Sequence, residues 1–241
     1  MGPRPRLSEA FRTPDDKRRY TRRLFATIAD RYDLITRVLS LSRDQAWKAR
    51  LIDRAEIRSG SRALDLACGT GDLAFLAARR GASVVGLDFT PRMIELALAK
   101  PEGRSVRWIV GDMGRLPVSS NRFDVVTTGY GLRNVPDIRD AIAEIFRVLA
   151  PGGRLCSLDF DKPESTTVRA IYLTYLTMVG STLGIVLHGD PDMYRYIPAS
   201  IRRYPGARGV AALMRDAGFA NVEVVSVLGG FMAIHVATKP A

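Results

Sequence analysis

The chain predicts a doubly wound α/β sheet closed by a C-terminal hairpin, and three observations predict it. Short apolar runs alternate with helical patterns between residues 61 and 160, as in successive βα units of a parallel sheet. The first run, Leu64-Asp65-Leu66-Ala67-Cys68, passes directly into Gly69-Thr70-Gly71-Asp72, a strand-to-helix turn whose glycines let the backbone bend tightly and approach a ligand. Near the end, two strand-like runs flank Gly229-Gly230, a connection suited to a hairpin. With 241 residues, 46% of them hydrophobic, the chain can bury one full core and reads as a single domain.

The elements follow in order. Residues 1–14 are polar and proline-containing and are expected to be mobile. From Asp15, Tyr20, Leu24, Ile28 and Tyr32 recur at helical spacing, and a second pattern carries Trp47, Leu51 and Ile52, so residues 15–60 read as cap helices. The core, 61–160, has strands at 63–68, 83–88, 106–111, 123–128 and 154–160. Thr90-Pro91 marks the cap and first turn of the helix carrying Met93 and Ile94. Asp137 caps the helix with Ile138, Ile142, Ile145 and Leu149, which stops at Pro151-Gly152-Gly153.

Residues 161–204 leave this rhythm. Within them, 170–187 is a stretch of 18 residues without a charge, long enough to raise the question of a membrane span. Its Ser and Thr hydroxyls, Gly180 and Gly184 make a lid helix the better reading, with an apolar face for a bilayer interface or for ordinary core packing. Residues 205–241 hold a helix with Val210, Leu213, Met214 and Ala217 ending at Gly218, then strands at 222–228 and 231–238.

The net charge is +11, and residues 1–60 hold 15 Lys/Arg against 8 Asp/Glu. Nucleic acid, an anionic membrane and a solvated helix face are all compatible with this. The N-terminus has no apolar core of a secretory signal, and Glu9, Asp15 and Asp16 argue against a transit peptide. Cys68 and Cys156 lie in strand-like runs and read as small buried side chains. With only His188 and His235 to add, no metal site is expected.

The glycine turn poses a choice of ligand, because Gly69-Thr70-Gly71-Asp72-Leu73-Ala74 also satisfies the G-x-G-x-x-A form of the dinucleotide fingerprint. Asp65 within the strand and Asp72 just after the loop would face a pyrophosphate at the helix N-terminus. S-adenosylmethionine has no phosphate and carries a sulfonium and an ammonium group, so the two carboxylates favour it.

Beyond the loop the chain resembles the C-methyltransferases of menaquinone and ubiquinone biosynthesis over nearly all of its length after about residue 18. The matching segments are FATIADRYDLITRVLSLSRDQAWK (25–48), LDLACGTGDLA (64–74), VVGLDFTPRMIELA (84–97), FDVVTTGYGLRNVPDI (123–138), RVLAPGGRL (147–155), LDFDKP (158–163) and DMYRYIPASI (192–201). The glycine loop would suit any methyltransferase of this fold. Arg-Tyr-Asp before the sheet, Gly-Leu-Arg-Asn after the fourth strand and Tyr-x-Tyr-x-Pro are more discriminating. The resemblance implies the Rossmann-like, seven-stranded class I methyltransferase fold with cap helices and an inserted lid.

It also implies site roles. Gly69 and Gly71 would let the methionine part of S-adenosylmethionine lie on the backbone, with Asp65 and Thr70 orienting its polar groups. Asp88 would accept the ribose hydroxyls, and Asp112 and Met113 would hold adenine, unless Asp112 only caps a turn. Gly129 stands where the family often has a hydroxyl, which leaves main-chain contact. Arg133 and Asn134 would meet the quinol oxygens, with Tyr32 and Tyr194 or Tyr196 closing the pocket. A guanidinium stays protonated, so Arg133 reads as an oxyanion stabiliser. A loop-fixing ion pair with Asp137 is its alternative, and Tyr32 could instead pack the cap onto the sheet. Ala199 replaces an acid common in the family, so no catalytic carboxylate is assumed there.

The substrate so implied is a polyprenylated quinol, demethylmenaquinol first and a benzoquinol of ubiquinone synthesis second. An RNA methyltransferase would need a basic groove with stacking aromatics, which is not apparent, so no specific nucleic acid is expected. A non-catalytic cofactor-binding scaffold is opposed by Arg133-Asn134. The lipid tail points to a cytoplasmic protein working at the inner face of an anionic membrane, through Arg18, Arg19, Arg22 and Arg23 and the segment 172–187. A homo-oligomer is left open.

Overall fold

Five apolar strands fold into a parallel sheet that is covered on both faces. The structure, a computed structural model, describes residues 7–241. The cap comprises α1 (Pro14–Ile28), α2 (Tyr32–Leu39) and α3 (Asp44–Arg54). Alternating βα units follow: β1 (Arg62–Leu66), α4 (Asp72–Arg79), β2 (Ser83–Asp88), α5 (Pro91–Ala99), β3 (Val106–Val110), β4 (Phe123–Gly129), α6 (Ile138–Val148) and β5 (Leu149–Phe160). The helices α7 (Thr166–His188), α8 (Asp192–Arg203) and α9 (Gly206–Asp216) precede β6 (Ala220–Val227) and β7 (Met232–Thr238).

The sheet order is β3-β2-β1-β4-β5-β7-β6. The first five strands pair in parallel, and β7 runs antiparallel between β5 and β6. Period-2 alternation sends Leu64 and Leu66 to one face, against Ile142, Ile145, Val210 and Met214. Ala63 and Val125 go to the other, with Leu51, Ile52 and Phe75. Strand order reverses between β1 and β4, and the crevice at their C-terminal ends is where open α/β sheets bind ligands.

Local chemistry sets several boundaries. The Thr13 hydroxyl accepts from Asp16 N at 3.1 Å and Pro14 begins α1, a strong N-terminal signal. Tyr20, Leu24 and Ile28 are buried as their spacing requires, but a 3-10 turn, Ala29–Arg31, intervenes before Tyr32. Asp137 caps α6 by accepting from Arg139 N at 2.7 Å. Thr90 occupies the cap position of α5 without a side-chain cap bond. Asp88 Oδ1 accepts from Thr90 N instead, at 2.8 Å.

Three expectations need correction. Of the segment 1–14 expected to be mobile, residues 1–6 lie outside the described residues and the rest is packed: Leu7–Glu9 form a 3-10 turn, Ala10 is buried, and Phe11 stacks on Tyr196 at 5.6 Å. Two apolar anchors there outweigh the polar average. The strand after α6 begins at Leu149 rather than 154, because Gly152 N and Gly153 O pair with Lys239 beyond β7. The final hairpin is joined by residues 228–231, since Val227 and Met232 are the last pair.

Helix α7 is long and apolar enough to cross a membrane by length and composition. It folds back on α8 through left-handed Gly189. A Cβ at Gly184 would lie 2.3 Å from the Asp190 carbonyl oxygen, so this glycine permits the close approach. Leu173, Leu176, Gly180 and Gly184 face inward, while Ile171, Met178, Ile185 and Val186 stay exposed.

Candidate active site

The glycine turn after β1 is left-handed at three points: Ala67 (φ +50°), Gly69 (φ +53°) and Gly71 (φ +94°). Such a conformation at a residue with a Cβ is costly and clusters at functional sites. Asp88 braces the turn, with Oδ2 accepting from Gly69 N at 2.9 Å and Oδ1 from Thr90 N. Burial raises its pKa, opposed by these backbone donors. Each oxygen keeps a lone pair for a further donor.

Two adjoining cavities, of about 300 and about 50 Å³, share Ala67, Phe89 and Asn134 in their walls. The larger is lined by Tyr32, Gly69, Asp88, Gly129, Arg133, Asn134, Tyr194 and Tyr196, gathered from α2, three strand ends and α8. The smaller holds Asp112 and Met113. Asp112 accepts from Gly114 N at 2.8 Å and from Arg18 Nε at 3.0 Å, so it caps a turn and also faces the cavity. A narrow chamber of this kind suits a planar base, and the joined pair suits an extended ligand whose ribose would fall beside Asp88.

Asp65, Thr70 and Gly71 line neither cavity, against expectation. A Cβ at Gly71 would come within 2.8 Å of the Phe75 and Trp108 rings, so packing beneath the loop demands that glycine. The Thr70 hydroxyl donates to Asp33 of α2. Asp65 accepts from the Thr127 hydroxyl at 2.8 Å, its other oxygen is unpartnered, and burial pushes its pKa up to about 7.

Asp72 does not form an anionic cradle with Asp65. Lys48 of α3 lies 2.7 Å from Asp72 and 2.8 Å from Asp44, and Gln45 donates to Asp72 at 2.7 Å. Against the cost of burial, Lys48 holds the Asp72 carboxyl down to about 2. Asp72 therefore locks the cap onto the glycine loop while Asp65 is held by Thr127 of β4, and the choice of a cationic ligand cannot rest on either.

The other end of the site gathers around Arg133, buried at 5% exposure. Its backbone N donates to Asp159 Oδ2 at 3.0 Å and its Nε to Oδ1 at 3.4 Å. Nη1 donates to the Ser200 hydroxyl, and the guanidinium lies 4.9 Å from the Phe160 ring centroid. The ion-pair partner is thus Asp159, while Asp137 serves α6. Burial raises the Asp159 pKa against the pull of Arg133. Burial, then the charge of Arg133, lowers the Lys17 ammonium to about 8. Asp159 offsets the charge of Arg133, whose remaining N–H groups are the donors this end of the site could offer an oxyanion.

Asn134 Nδ2 donates to the Tyr130 carbonyl at 2.7 Å, while its buried Oδ1 has no partner. The Tyr196 hydroxyl is also buried and unpartnered, and its ring lies between Phe11 and Tyr20. Tyr194 instead meets His188 Nε2 at 2.9 Å. The Tyr32 ring lies 3.7 Å from the place a Gly69 Cβ would take, and burial raises its pKa. Sequence reasoning missed Asp159 and Ser200 as partners of Arg133, although both lie in quoted family-like segments. It also missed Tyr130, whose φ of +61° marks the loop as special.

The model of the ubiE/COQ5 methyltransferase family matches residues 13–239. The demethylmenaquinone methyltransferase of Thermus thermophilus is 41% identical over 221 residues, covering 90% of this chain and all of that one. The ubiquinone/menaquinone biosynthesis C-methyltransferase UbiE of Ectopseudomonas mendocina is 38% identical, covering 90% and 88%. A solved S-adenosylmethionine-dependent methyltransferase of Thermotoga maritima, titled a possible histamine N-methyltransferase, superposes with a TM-score of 0.66 at 20% identity, covering 90% and 98%. Haemonchus contortus phosphoethanolamine N-methyltransferase 2, solved with S-adenosyl-L-methionine, gives 0.61 at 16%, covering 81% and 53%. A match from end to end of the described fold leaves one assignment: the chain belongs to the ubiE/COQ5 methyltransferase family and is an S-adenosylmethionine-dependent methyltransferase.

Proposed function

We propose that the protein methylates a ring carbon of a polyprenylated quinol, demethylmenaquinol above all. The observation that carries this is the larger cavity, apolar for most of its wall yet holding Arg133 and Asn134, and reaching the surface at Leu41, Tyr175 and Leu228. About 300 Å³ is near the lower limit of small-molecule sites. It has room for a ring, while a long tail must leave. The names of the relatives support both a naphthoquinol and a benzoquinol.

Bound S-adenosylmethionine supplies an electrophilic methyl group. Asp112 and Met113 would seat adenine, Asp88 the ribose, and the Ala67 to Gly69 turn with the Gly129 main chain the remainder. Arg133 and Asn134 would take the quinol oxygens. As a hydroxyl proton passes to water, the Arg133 guanidinium stabilises the oxyanion, and charge moves onto the neighbouring carbon. That carbon would take the methyl group, the bonding pair of the broken C–S bond staying on the cofactor's sulfur. The ring proton would then pass to water, which restores aromaticity. Tyr32, Tyr194 and Tyr196 wall the ring in and hold it in line.

Labelled S-adenosylmethionine offered with reduced naphthoquinone and benzoquinone acceptors in parallel tests this. Label is expected on the naphthoquinol ring. Transfer to the benzoquinol alone moves the assignment to ubiquinone synthesis, and transfer to neither ends the quinol reading.

The same reading gives the protein a lipid partner at the inner face of the membrane, since the tail stays in lipid and the cofactor in water. Leu41, Tyr175 and Leu228 are 77%, 52% and 43% exposed at the cavity wall. Exposed Leu34 and Val38 of α2 and Ile171, Met178 and Ile185 of α7 add apolar surface of the kind that marks interaction sites. Arg18 is tied to Asp112 and Asp15, and Arg19 to Asp16. Exposed Arg22 and Arg23 of α1 stay in the expected role, and exposed Arg37 and Arg43, on and just after α2, join them as cations for headgroups. In liposome flotation, recovery is expected with anionic vesicles and should fall as salt screens the attraction over about 8–10 Å. Ile171→Glu/Met178→Glu should abolish it, and equal recovery with neutral vesicles would remove the headgroup role.

A further inference from the structure

We infer that Asp159 and Ser200 are positioning residues for Arg133, and that Ser200 makes the orientation of the guanidinium depend on the seating of α8. The inference rests on the reading that Arg133 meets a substrate oxygen. It adds residues for which sequence reasoning had no role.

The guanidinium is held on three sides. Asp159, 1% exposed at the end of β5, accepts from both the backbone N and Nε of Arg133, and also from Phe160 N at 2.8 Å. Ser200, 2% exposed on α8, accepts from Nη1 while donating its own proton to the Ile197 carbonyl at 2.8 Å. Its hydroxyl therefore has one defined orientation, with a lone pair aimed at Arg133. The Phe160 ring closes one face of the guanidinium plane. Nε and one N–H of Nη1 are thereby engaged, which leaves the second N–H of Nη1 and both of Nη2 for a ligand in the cavity that Arg133 lines.

These contacts join separate elements. Asp159 lies 26 residues from Arg133 and Ser200 lies 67. The helix that supplies Ser200 also supplies Tyr194 and Tyr196 to the cavity wall. Pro198 sits inside this helix, two residues before Ser200. When α8 is seated, its tyrosines and the serine engage together, so a helix that closes over a ring also fixes the arginine that meets its oxygen. Misplacement by about 1 Å at a reacting group costs about 10²-fold in rate, so a single hydrogen bond at this position has kinetic weight.

The test is a double-mutant cycle on methyl transfer to a soluble short-chain naphthoquinol, with S-adenosylmethionine affinity read by calorimetry. Ser200→Ala is expected to lower kcat about tenfold, with cofactor affinity unchanged, and Ser200→Thr, which keeps the hydroxyl, to recover most of the loss. Asp159→Asn is expected to lower kcat further. In an Arg133→Ala background both effects should vanish, since residues acting through one group are not additive. An unchanged kcat in Ser200→Ala, or a full further loss on the Arg133→Ala background, overturns the inference. Full activity of Arg133→Ala itself would instead overturn the role of Arg133. Asp159→Asn changes a buried pair, so thermal melts accompany it, and Ser200→Ala carries the decision where the melt shows unfolding.

Discussion

Arg133→Ala is expected to slow methyl transfer to a quinol by roughly 10²-fold or more, the scale for losing one oxyanion donor. Affinity for S-adenosylmethionine should change little, because the side-chain partners of Arg133 are Asp159 and Ser200 and not Asp88, Asp112 or the glycine turn assigned to the cofactor. Arg133→Lys should recover little. An ammonium on a flexible stem cannot meet Asp159, Ser200 and the Phe160 ring together as the planar fork does. Single-turnover transfer alongside calorimetric titration checks both halves. A normal rate in a folded Arg133→Ala protein would reduce the residue to a structural partner of Asp159. The variant should also melt lower, because a buried carboxylate then loses its cation.

The largest effect on stability is expected at Lys48, which has no assigned chemical role although its charge is felt at Tyr32. Its ammonium is 8% exposed and lies between Asp44 and Asp72. Burial works against the charge, yet the pull of Asp72 raises the Lys48 pKa on balance. Lys48→Met keeps the volume and leaves both carboxylates without that cation, at a cost of about 3–5 kcal/mol. Lys100, partly exposed and 3.4 Å from Asp72, should matter far less on substitution, as for other pairs near the surface.

The pH dependence follows in sign. Asp72 is held at about 2 when folded and returns to about 3.9 when unfolded. Its contribution is therefore complete above about pH 4 and is lost as pH falls toward 2. Denaturant titrations of wild type and Lys48→Met should differ most near neutrality and converge across that acid window. A constant difference down to about pH 2.5 would mean that Asp72 gains nothing from Lys48, against the linkage of its pKa to stability.

Much of the site was legible because of where it sits in the βα rhythm. Asp88 ends strand two, Asp112 follows strand three and Arg133-Asn134 follow strand four, so the βα order puts at one edge of the sheet the residues that the family resemblance singles out. Asp137 as a cap was legible for a similar reason, since the cap bond to Arg139 N spans two residues. What misled was the assumption that an acid next to the glycine turn faces the ligand. Asp65 is on the buried side of its strand beneath Thr127. Asp72 faces the cap, where its partner Lys48 stands 24 residues earlier.

The sequence by itself determined the order of elements along the chain, the doubly wound class of the sheet, the turn that begins the cofactor site and the family to which the chain belongs. Those properties depend on local spacing and on residue types within a few positions of one another. The tertiary structure decided which carboxylates are neutralised and by what. It chose Asp159 over Asp137 for Arg133, gave Gly71 to the rings of Phe75 and Trp108, and set Phe11 against Tyr196. Each of those choices is a contact between segments that fold together only after the sheet and its cap have formed. Charge pairing acts through distance in space, and periodicity reports only the face from which each partner starts.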